Sequence, residues 1–194
     1  MTLRADLAQI ADWITPGSRV LDLGCGDGTL LAYLRDAKDC RGYGVELNDE
    51  HVAHCVRARI NVVQQNLDAG LRMFDDDMFD TVVLSQTLQA MHNAEGLLRE
   101  MARVGREGVV SFPNFGHWKH AVSLLAGRMP VTKHIPYQWY DTPNIHLCTL
   151  KDFEILAARV GLVITGRTVL ADGRPVQFAS ALRATVAIYR FETR

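Results

Sequence analysis

The segment VLDLGCGDG, from Val20 to Gly28, limits the possible folds of this chain more than any other stretch. It begins as a short apolar run, continues with glycine at every second position, and is followed by leucines at helical spacing. A strand, a tight glycine turn and a helix N-terminus present free N–H groups to a ligand, because glycine has no β-carbon to block the approach. The segment therefore predicts a strand–turn–helix unit with a small-molecule site at the turn.

Strand and helix patterns alternate on both sides of this segment. Apolar residues at helical spacing begin the chain, at about residues 4–14, and return at residues 94–104. Asp49 is predicted to cap a further helix that ends near Ala58. Strand patterns occur at residues 19–23, 42–46, 60–65, 81–84, 108–112 and, as an expected antiparallel hairpin, 162–170 and 183–191. Strands that alternate with helices form βαβ units with right-handed crossovers, so we expect an α/β protein with a largely parallel sheet.

The alternation stops after residue 112 and resumes with a predicted helix at residues 150–160. The intervening residues 113–148 contain four of the six prolines, four of the seven histidines and two of the three tryptophans. The chain is thus predicted to form one domain over residues 1–194. Within it, an insert at about residues 113–148 is expected to cover the ligand or to form a surface for a partner.

The composition argues against several classes of protein. The 21 basic and 22 acidic residues give a net charge of −1, whereas nucleic-acid-binding proteins usually carry a basic excess. No apolar run approaches the roughly 20 residues that a membrane span needs, and the charged N-terminal segment does not resemble a signal peptide. The four cysteines form no CxxC pair. We therefore expect a cytoplasmic protein that binds neither nucleic acid nor membrane.

The spacing of the glycines distinguishes this turn from that of dinucleotide-binding proteins. Those proteins carry GxGxxG, whereas here Gly24, Gly26 and Gly28 form GxGxG, with Asp22 two residues before the first glycine. This combination resembles the first motif of the class I S-adenosylmethionine-dependent methyltransferases. The resemblance implies a Rossmann-like, doubly wound sheet of seven mostly parallel strands in the order 3-2-1-4-5-7-6. The ligand would lie above the carboxyl ends of the first four strands.

The same resemblance implies contacts to S-adenosylmethionine or S-adenosylhomocysteine. Asp22 is expected at the amino end of the methionine group, since a carboxylate and an ammonium form a charge-assisted bond. Glu46, at the end of the second strand, would accept two hydrogen bonds from the ribose hydroxyls. Asp68 would contact the adenine amino group, and Leu67 would pack against the adenine ring. Alternatively, Asn66 and Asp68 only form a turn or a cap. The remaining expected contacts are Gly24, Cys25, Gly26, Leu47 and Ser85.

The pattern FDTVVLSQTLQ, at residues 79–89, resembles the fourth strand of the same fold. Asp80 stands at its far end and is expected to be structural, whereas Ser85 and Gln86 stand at the ligand end. The sequence SQTL occupies the place of the (D/N/S)PP(Y/F) motif of amino-group methylases, which disfavours that subclass. Methyl transfer from a sulfonium depends mainly on alignment of donor and acceptor, so no catalytic residue is assigned.

The insert holds the side chains that would act as a base if a base were needed. They are His117, His120, His134, Tyr137, Tyr140 and His146. The pairs His51/His54 and His117/His120 have the spacing of two metal ligands on one helical face. No further ligands accompany them, so we expect solvated histidines and no metal site. The insert also holds five aromatic side chains, which either line a pocket or partner surface or pack as a small core: Phe115, Trp118, Tyr137, Trp139 and Tyr140.

Two longer segments indicate a more specific family. The run WYDTPNIHLCTLKDFEILAARVGL, at residues 139–162, and the segment SFPNFGHWKHAVSLLAGRMPVTKHIPYQ before it are similar to the bacterial methionine biosynthesis protein family MetW. The resemblance implies a protein that acts with homoserine O-acyltransferase, whose reaction uses no methyl donor. We therefore expect an accessory or regulatory protein of methionine biosynthesis that binds S-adenosylmethionine or S-adenosylhomocysteine. The alternative is an active small-molecule methyltransferase, and the sequence leaves open whether the chain is an enzyme.

Overall fold

The structure is a computed structural model that describes residues 3–193. Its helices are α1 (Ala5–Trp13), α2 (Thr29–Lys38), α3 (Asp49–Arg57), α4 (Ala94–Val104), α5 (Trp118–Leu125), α6 (Leu150–Arg159) and α7 (Ser180–Arg183). Its strands are β1 (Arg19–Leu23), β2 (Arg41–Glu46), β3 (Asn61–Gln64), β4 (Phe79–Ser85), β5 (Gly105–Pro113), β6 (Leu162–Ala171), β7 (Arg174–Pro175) and β8 (Val186–Thr193). Within the described range, no helix has the length and hydropathy that a membrane crossing requires.

The strands form one mixed sheet in the order β3-β2-β1-β4-β5-β8-β6-β7. Strands β1 to β5 are parallel, whereas β8 runs antiparallel to both β5 and β6. The predicted α/β fold and the antiparallel pair near the C-terminus are confirmed. The predicted number of strands is wrong, because the sheet has eight strands rather than seven.

The additional strand is the two-residue β7, which pairs with the end of β6 at the edge of the sheet. Asp172 and Gly173 have positive φ angles of 46° and 81°, so the chain reverses directly after β6. A strand at the edge of a sheet has a neighbouring strand on one side only. The missing N–H of Pro175 therefore costs no hydrogen bond to a second strand. Two residues are too few to show a strand periodicity, which explains why the sequence did not reveal β7.

The sheet has an apolar cluster on each face. Val20 and Leu21, adjacent in β1, belong to different clusters, and Val82 and Val83 of β4 divide in the same way. Helices α1 and α2 cover one face, and α4 and α6 cover the other. Strands that are buried on both faces have nearly continuous apolar sequences, which is the reason for the runs VLDL and TVVL. These layers leave the carboxyl ends of the parallel strands at one open edge.

Most elements begin and end within a few residues of the predicted positions. Strand β1 and helix α4 have the predicted boundaries. Helix α3 is capped by Asn48, whose side chain accepts hydrogen bonds from the N–H groups of Glu50 and His51, and not by Asp49 as predicted. The last strand begins at Val186, later than expected, because α7 precedes it.

The insert is attached to the scaffold at both of its ends. The N–H of Phe115 donates to the carbonyl of Cys148 at 2.9 Å, which brings the two ends together. The N–H groups of Ile145 and His146 donate to the carbonyl of Gln89, in the segment that follows β4. The insert therefore lies beside the open edge of the sheet.

Candidate functional site

A cavity of about 720 Å³ opens at the carboxyl ends of β1, β2 and β4. Every predicted site residue except Asp68 lines it: Asp22, Gly24, Cys25, Gly26, Glu46, Leu47, Leu67 and Ser85. Strand β1 supplies Asp22 and leads into the glycine turn, β2 ends at Glu46, and β4 ends at Ser85. In a sheet of this topology, ligands bind outside the carboxyl ends of the strands where the strand order reverses. The cavity occupies that place.

The backbone of the glycine turn keeps the cavity open. The N–H groups of Gly24 and Cys25 donate to the carbonyl of Val45 at 2.8 and 3.2 Å, which fixes the turn against β2. Gly24 has a φ of +70°, and a β-carbon there would lie 2.7 Å from Oγ1 of Thr87. Gly26 has a φ of +57°, and no atom lies within 4 Å of the position of its missing β-carbon. A ligand can therefore approach the backbone at Gly26 without obstruction.

Close packing behind the turn holds α2 against α3. Gly28 precedes α2 with a φ of +78°, and a β-carbon there would lie 2.9 Å from Sγ of Cys55.

Burial, followed by the charge of Asp22, raises the pKa of the Cys25 thiol. Cys25 therefore remains a protonated thiol and lines the cavity as a small apolar group rather than as a nucleophile.

The carboxylate of Glu46 is bound to the backbone of the turn. Its Oε2 accepts from the N–H of Gly26 at 2.8 Å, and its Oε1 accepts from the N–H groups of Leu47 and Asn48 at 2.9 Å each. A carboxylate has about four acceptor sites, so about one is left, on Oε2. The two hydrogen bonds expected from a ribose would therefore require Glu46 to release the N–H of Gly26.

Asp22 presents a buried carboxyl group to the cavity. It is 3% exposed, and among residues 3–193 no group donates a hydrogen bond to its side chain. Burial, followed by the charge of Glu46, raises the pKa of Asp22 to about 7, and Arg4 opposes this rise. A cationic group of a ligand beside Asp22 would stabilise its ionised form.

The structure does not bring Asp68 into this cavity. Its Oδ1 accepts from the N–H of His92 at 3.0 Å, and its Oδ2 lies 2.9 Å from Nδ1 of the same residue. The side chain of Asn66 accepts from the N–H of Asp68 at 2.9 Å and caps a short 3-10 turn. This is the turn-forming alternative that the sequence left open. Gln65, Asn66 and Leu67 line the cavity at this position instead.

The chain matches the model of a known protein family. The family is described as methionine biosynthesis protein MetW, and the match covers residues 4–191. This chain belongs to the MetW family. It is 39% identical over 176 residues to the bifunctional methionine biosynthesis protein MetXA/MetW of Rhodopirellula baltica. That match covers 84% of this chain and 28% of the relative, so the chain spans less than a third of the relative's length.

Solved structures show the same fold at low sequence identity. An S-adenosylmethionine-dependent methyltransferase from Mesorhizobium loti superposes with a TM-score of 0.74 and 16% identity, over 97% of each chain. The [4+2]-cyclase SpnF superposes with a TM-score of 0.69 and 18% identity, over 96% of this chain and 80% of that one. The MetW-family chain thus has the class I methyltransferase fold. The names of these two proteins illustrate that this fold does not by itself determine a reaction.

Arg4 belongs to the site of this MetW-family chain, although its sequence context gave no indication of it. It precedes α1, forms an ion pair with Asp6 at 2.6 Å and lines the cavity. Its Nη2 also lies 3.3 Å from Oγ of Ser85, across 81 positions of sequence. A charged residue before an amphipathic helix is ordinary, so only the folded arrangement places Arg4 beside Asp22.

The insert supplies part of the cavity wall and an exposed aromatic surface. Tyr137 and Pro143 line the cavity. Trp139 and Tyr140 are each 71% exposed, and Trp118 is 49% exposed. These three side chains are therefore not packed as a core of the insert. Trp139 and Tyr140 also pack against each other, with ring centroids 5.7 Å apart, so they form an exposed aromatic pair of the kind that often binds another molecule.

Two histidines of the insert differ from the prediction. His117 and His120 are buried, at 7% and 3% exposure, rather than solvated. Nδ1 of His117 accepts from the N–H of Lys119 and caps α5, and Nδ1 of His120 lies 3.1 Å from the carbonyl of Phe115. Burial lowers the pKa of both imidazoles, which favours their neutral forms. In the part of the chain that the structure describes, no group of three or more His, Cys, Asp or Glu side chains is arranged to hold a metal ion.

Proposed function

We propose that this MetW-family protein binds S-adenosylmethionine or S-adenosylhomocysteine and acts with homoserine O-acyltransferase as an accessory or regulatory protein of methionine biosynthesis. The observation that carries the proposal is the combination of an open glycine turn and the carboxyl groups of Asp22 and Glu46 in one cavity. The ligand has an ammonium for Asp22, a hydroxyl for the free acceptor site of Glu46, and a carboxylate for the Arg4 guanidinium.

The partner and the regulatory role rest on the family and on one relative. The Rhodopirellula baltica relative is named as MetXA and MetW in one protein, which supports an association of the two activities. S-adenosylmethionine is made from methionine, so its binding would report the level of the end product to an early enzyme. Regulation of this kind requires that the ligand bind the free protein and the complex with different affinities. We expect this association in the cytoplasm, as the sequence predicts.

Calorimetric titration tests the proposed ligand. S-adenosylhomocysteine should bind the wild type, and Glu46→Gln should weaken binding by roughly tenfold to a hundredfold, as expected for the loss of a charge-assisted contact. Glu50→Gln is the matched control, because Glu50 is exposed in the first turn of α3 and does not line the cavity. Absence of heat with the wild type, or equal affinity of the Glu46 variant, would contradict the assignment of the cavity.

Co-expression with homoserine O-acyltransferase tests the proposed partner. The two proteins should elute together in size-exclusion chromatography, and the acyltransferase rate should differ with and without this protein. The rate should change again when S-adenosylhomocysteine is added. Separate elution at micromolar concentrations, together with an unchanged rate, would refute the accessory role.

An active methyltransferase is the second candidate function. It is favoured by solved neighbours such as the Mesorhizobium loti protein, which are named as methyltransferases. Among the side chains that the sequence offers as bases, Tyr137 lines the cavity. Incubation with labelled S-adenosylmethionine and a metabolite extract should give no labelled product if the accessory role is correct. Clear formation of S-adenosylhomocysteine would favour the methyltransferase instead.

A further inference from the structure

A second cavity, of about 450 Å³, lies beside the first one. It is bordered by the start of α1, the residue after β4, the turn between β6 and β7, and the insert. Its polar lining consists of Arg4, Asp6, Gln86, Lys133, His134 and Asp172. Arg4 and Gln86 line both cavities, so the two spaces are neighbours that share these side chains.

Two polar atoms of this lining lack a hydrogen-bond partner. They are Nε2 of Gln86 and Nε2 of His134, and they account for two of the four such buried atoms found among residues 3–193. The nearest carboxylate to His134 is that of Asp172, whose Oδ1 lies 3.8 Å from Nε2, beyond hydrogen-bond distance. Buried polar groups are nearly always paired, so two orphans in one cavity indicate a missing polar partner.

The backbone at Gln86 is strained, and the strain lies where the two cavities meet. Gln86 has a φ of +55°, in the left-handed region that a residue with a side chain seldom occupies. Its N–H donates to the carbonyl of Ser111 at 2.9 Å, which holds the residue in place after β4. Strained residues persist where the surrounding structure holds them, and they are concentrated at active sites and ligand sites.

The hydrogen-bond donors of the second cavity favour an anion. Asp6 is already neutralised by Arg4, with contacts of 2.6 and 2.9 Å. The side chain of Asp172 is 85% exposed and is therefore well solvated. The Gln86 amide and the Lys133 ammonium are donors, and the His134 imidazole donates when its proton is on Nε2. A carboxylate would accept hydrogen bonds from these donors together.

We propose that the second cavity binds a small aliphatic carboxylate beside the proposed S-adenosylmethionine site. The carboxylate accepts hydrogen bonds from Gln86, Lys133 and His134, and its aliphatic chain lies against Leu170 and Val186, which also line the cavity. This site goes beyond the proposed function, because none of these five side chains except Gln86 lines the first cavity.

Nuclear magnetic resonance titration of the whole protein tests the site, with hexanoate as the probe and hexanamide as its uncharged analogue of equal length. Hexanoate, at up to about 20 mM, should give saturable shifts of amide signals around the second cavity. Lys133→Met and His134→Phe keep much of the side-chain volume and remove the donors, so each should weaken hexanoate binding about tenfold. Lys151→Met, which alters an exposed lysine of α6 outside the cavity, should bind hexanoate as the wild type does.

The affinity for S-adenosylhomocysteine separates this proposal from the previous one. Lys133→Met and His134→Phe should change that affinity by less than about twofold, since neither residue lines the first cavity. Hexanoate binding without S-adenosylhomocysteine binding would refute the proposed function and leave the second site standing. Three results would overturn the second site: no saturable shifts, equal binding of hexanamide and hexanoate, or unchanged hexanoate binding in both variants.

Discussion

Replacement of Asp22 by asparagine should stabilise the ligand-free protein at alkaline pH. Burial and the neighbouring Glu46 raise the pKa of Asp22 from 3.8 to about 7. A difference of about three pKa units between the unfolded and the folded protein corresponds to about 4 kcal/mol. The folded state bears this cost when Asp22 is ionised. Asparagine is neutral and has nearly the same shape as the protonated carboxyl group, so Asp22→Asn removes the cost.

The raised pKa of Asp22 determines how the stability difference between variant and wild type depends on pH. Near pH 3 the folded wild type holds a neutral Asp22, and the unfolded chain, in which the pKa is 3.8, is only beginning to lose the same proton, so the variant gains almost nothing. Between about pH 4 and pH 7 the unfolded chain is ionised and the folded chain is not, so the stability of the wild type falls as pH rises. Above about pH 7 the full cost is present, and the advantage of Asp22→Asn reaches its plateau.

Urea unfolding at pH 4.5 and at pH 8 measures the effect. The difference in unfolding free energy between variant and wild type should grow from about 1 kcal/mol to about 4 kcal/mol, which corresponds to a melting temperature higher by about 10 °C at pH 8. Asp75→Asn, at an exposed position, is the matched control and should give no such trend. The same Asp22 variant should bind S-adenosylhomocysteine at least tenfold more weakly, because the ligand ammonium loses its carboxylate. A stability difference that does not change with pH would refute this account of Asp22.

The remaining predictions concern the glycine turn and the insert. Gly24→Ala should lower both the melting temperature and the affinity for S-adenosylhomocysteine, because its β-carbon would lie 2.7 Å from Oγ1 of Thr87. Gly127→Ala shares a positive φ, +72°, but meets no atom within 4 Å, so the difference between the two variants isolates the contact from the backbone strain. Trp139→Ala and Trp118→Ala should shift the melting temperature by less than about 2 °C and should weaken the complex with homoserine O-acyltransferase. A large loss of thermal stability would instead show that these side chains support the fold.

The sequence predicted the scaffold well because burial on both faces leaves a strong pattern. Strand β1 and helix α4 were located to the residue, since a nearly continuous apolar run and a complete amphipathic helix both end at clear signals. Glu46 could be placed in the cavity because it ends a strand next to β1, and the carboxyl ends of parallel strands meet at one edge. The boundaries followed from local patterns, whereas the position of Glu46 also relied on the strand order that the resemblance to the methyltransferases implies.

The failures share a physical cause, which is a dependence on contacts that no local pattern records. Asp68 was expected at the ligand, but the N–H and imidazole of His92, 24 positions later in the sequence, hold its carboxylate outside the cavity. Arg4 was overlooked because its place beside Ser85 depends on how α1 packs against the sheet. His117 and His120 were expected in solvent because their spacing suits an exposed helix face. In the structure both imidazoles are buried, because His117 caps α5 and His120 lies at hydrogen-bond distance from the carbonyl of Phe115.

The division between scaffold and insert also bears on the proposed regulation. The ends of the strands and the glycine turn build most of the first cavity, whereas the insert supplies Tyr137 to that cavity and Lys133 and His134 to the second one. The same segment exposes Trp139 on its surface. A ligand can change the affinity for a partner only if both act on an element that differs between the bound and free states. We propose the insert as this element, because it lines both cavities and exposes Trp139. Coupling between ligand and partner should therefore be lost first by changes within the insert, while changes at the strand ends should remove ligand binding itself.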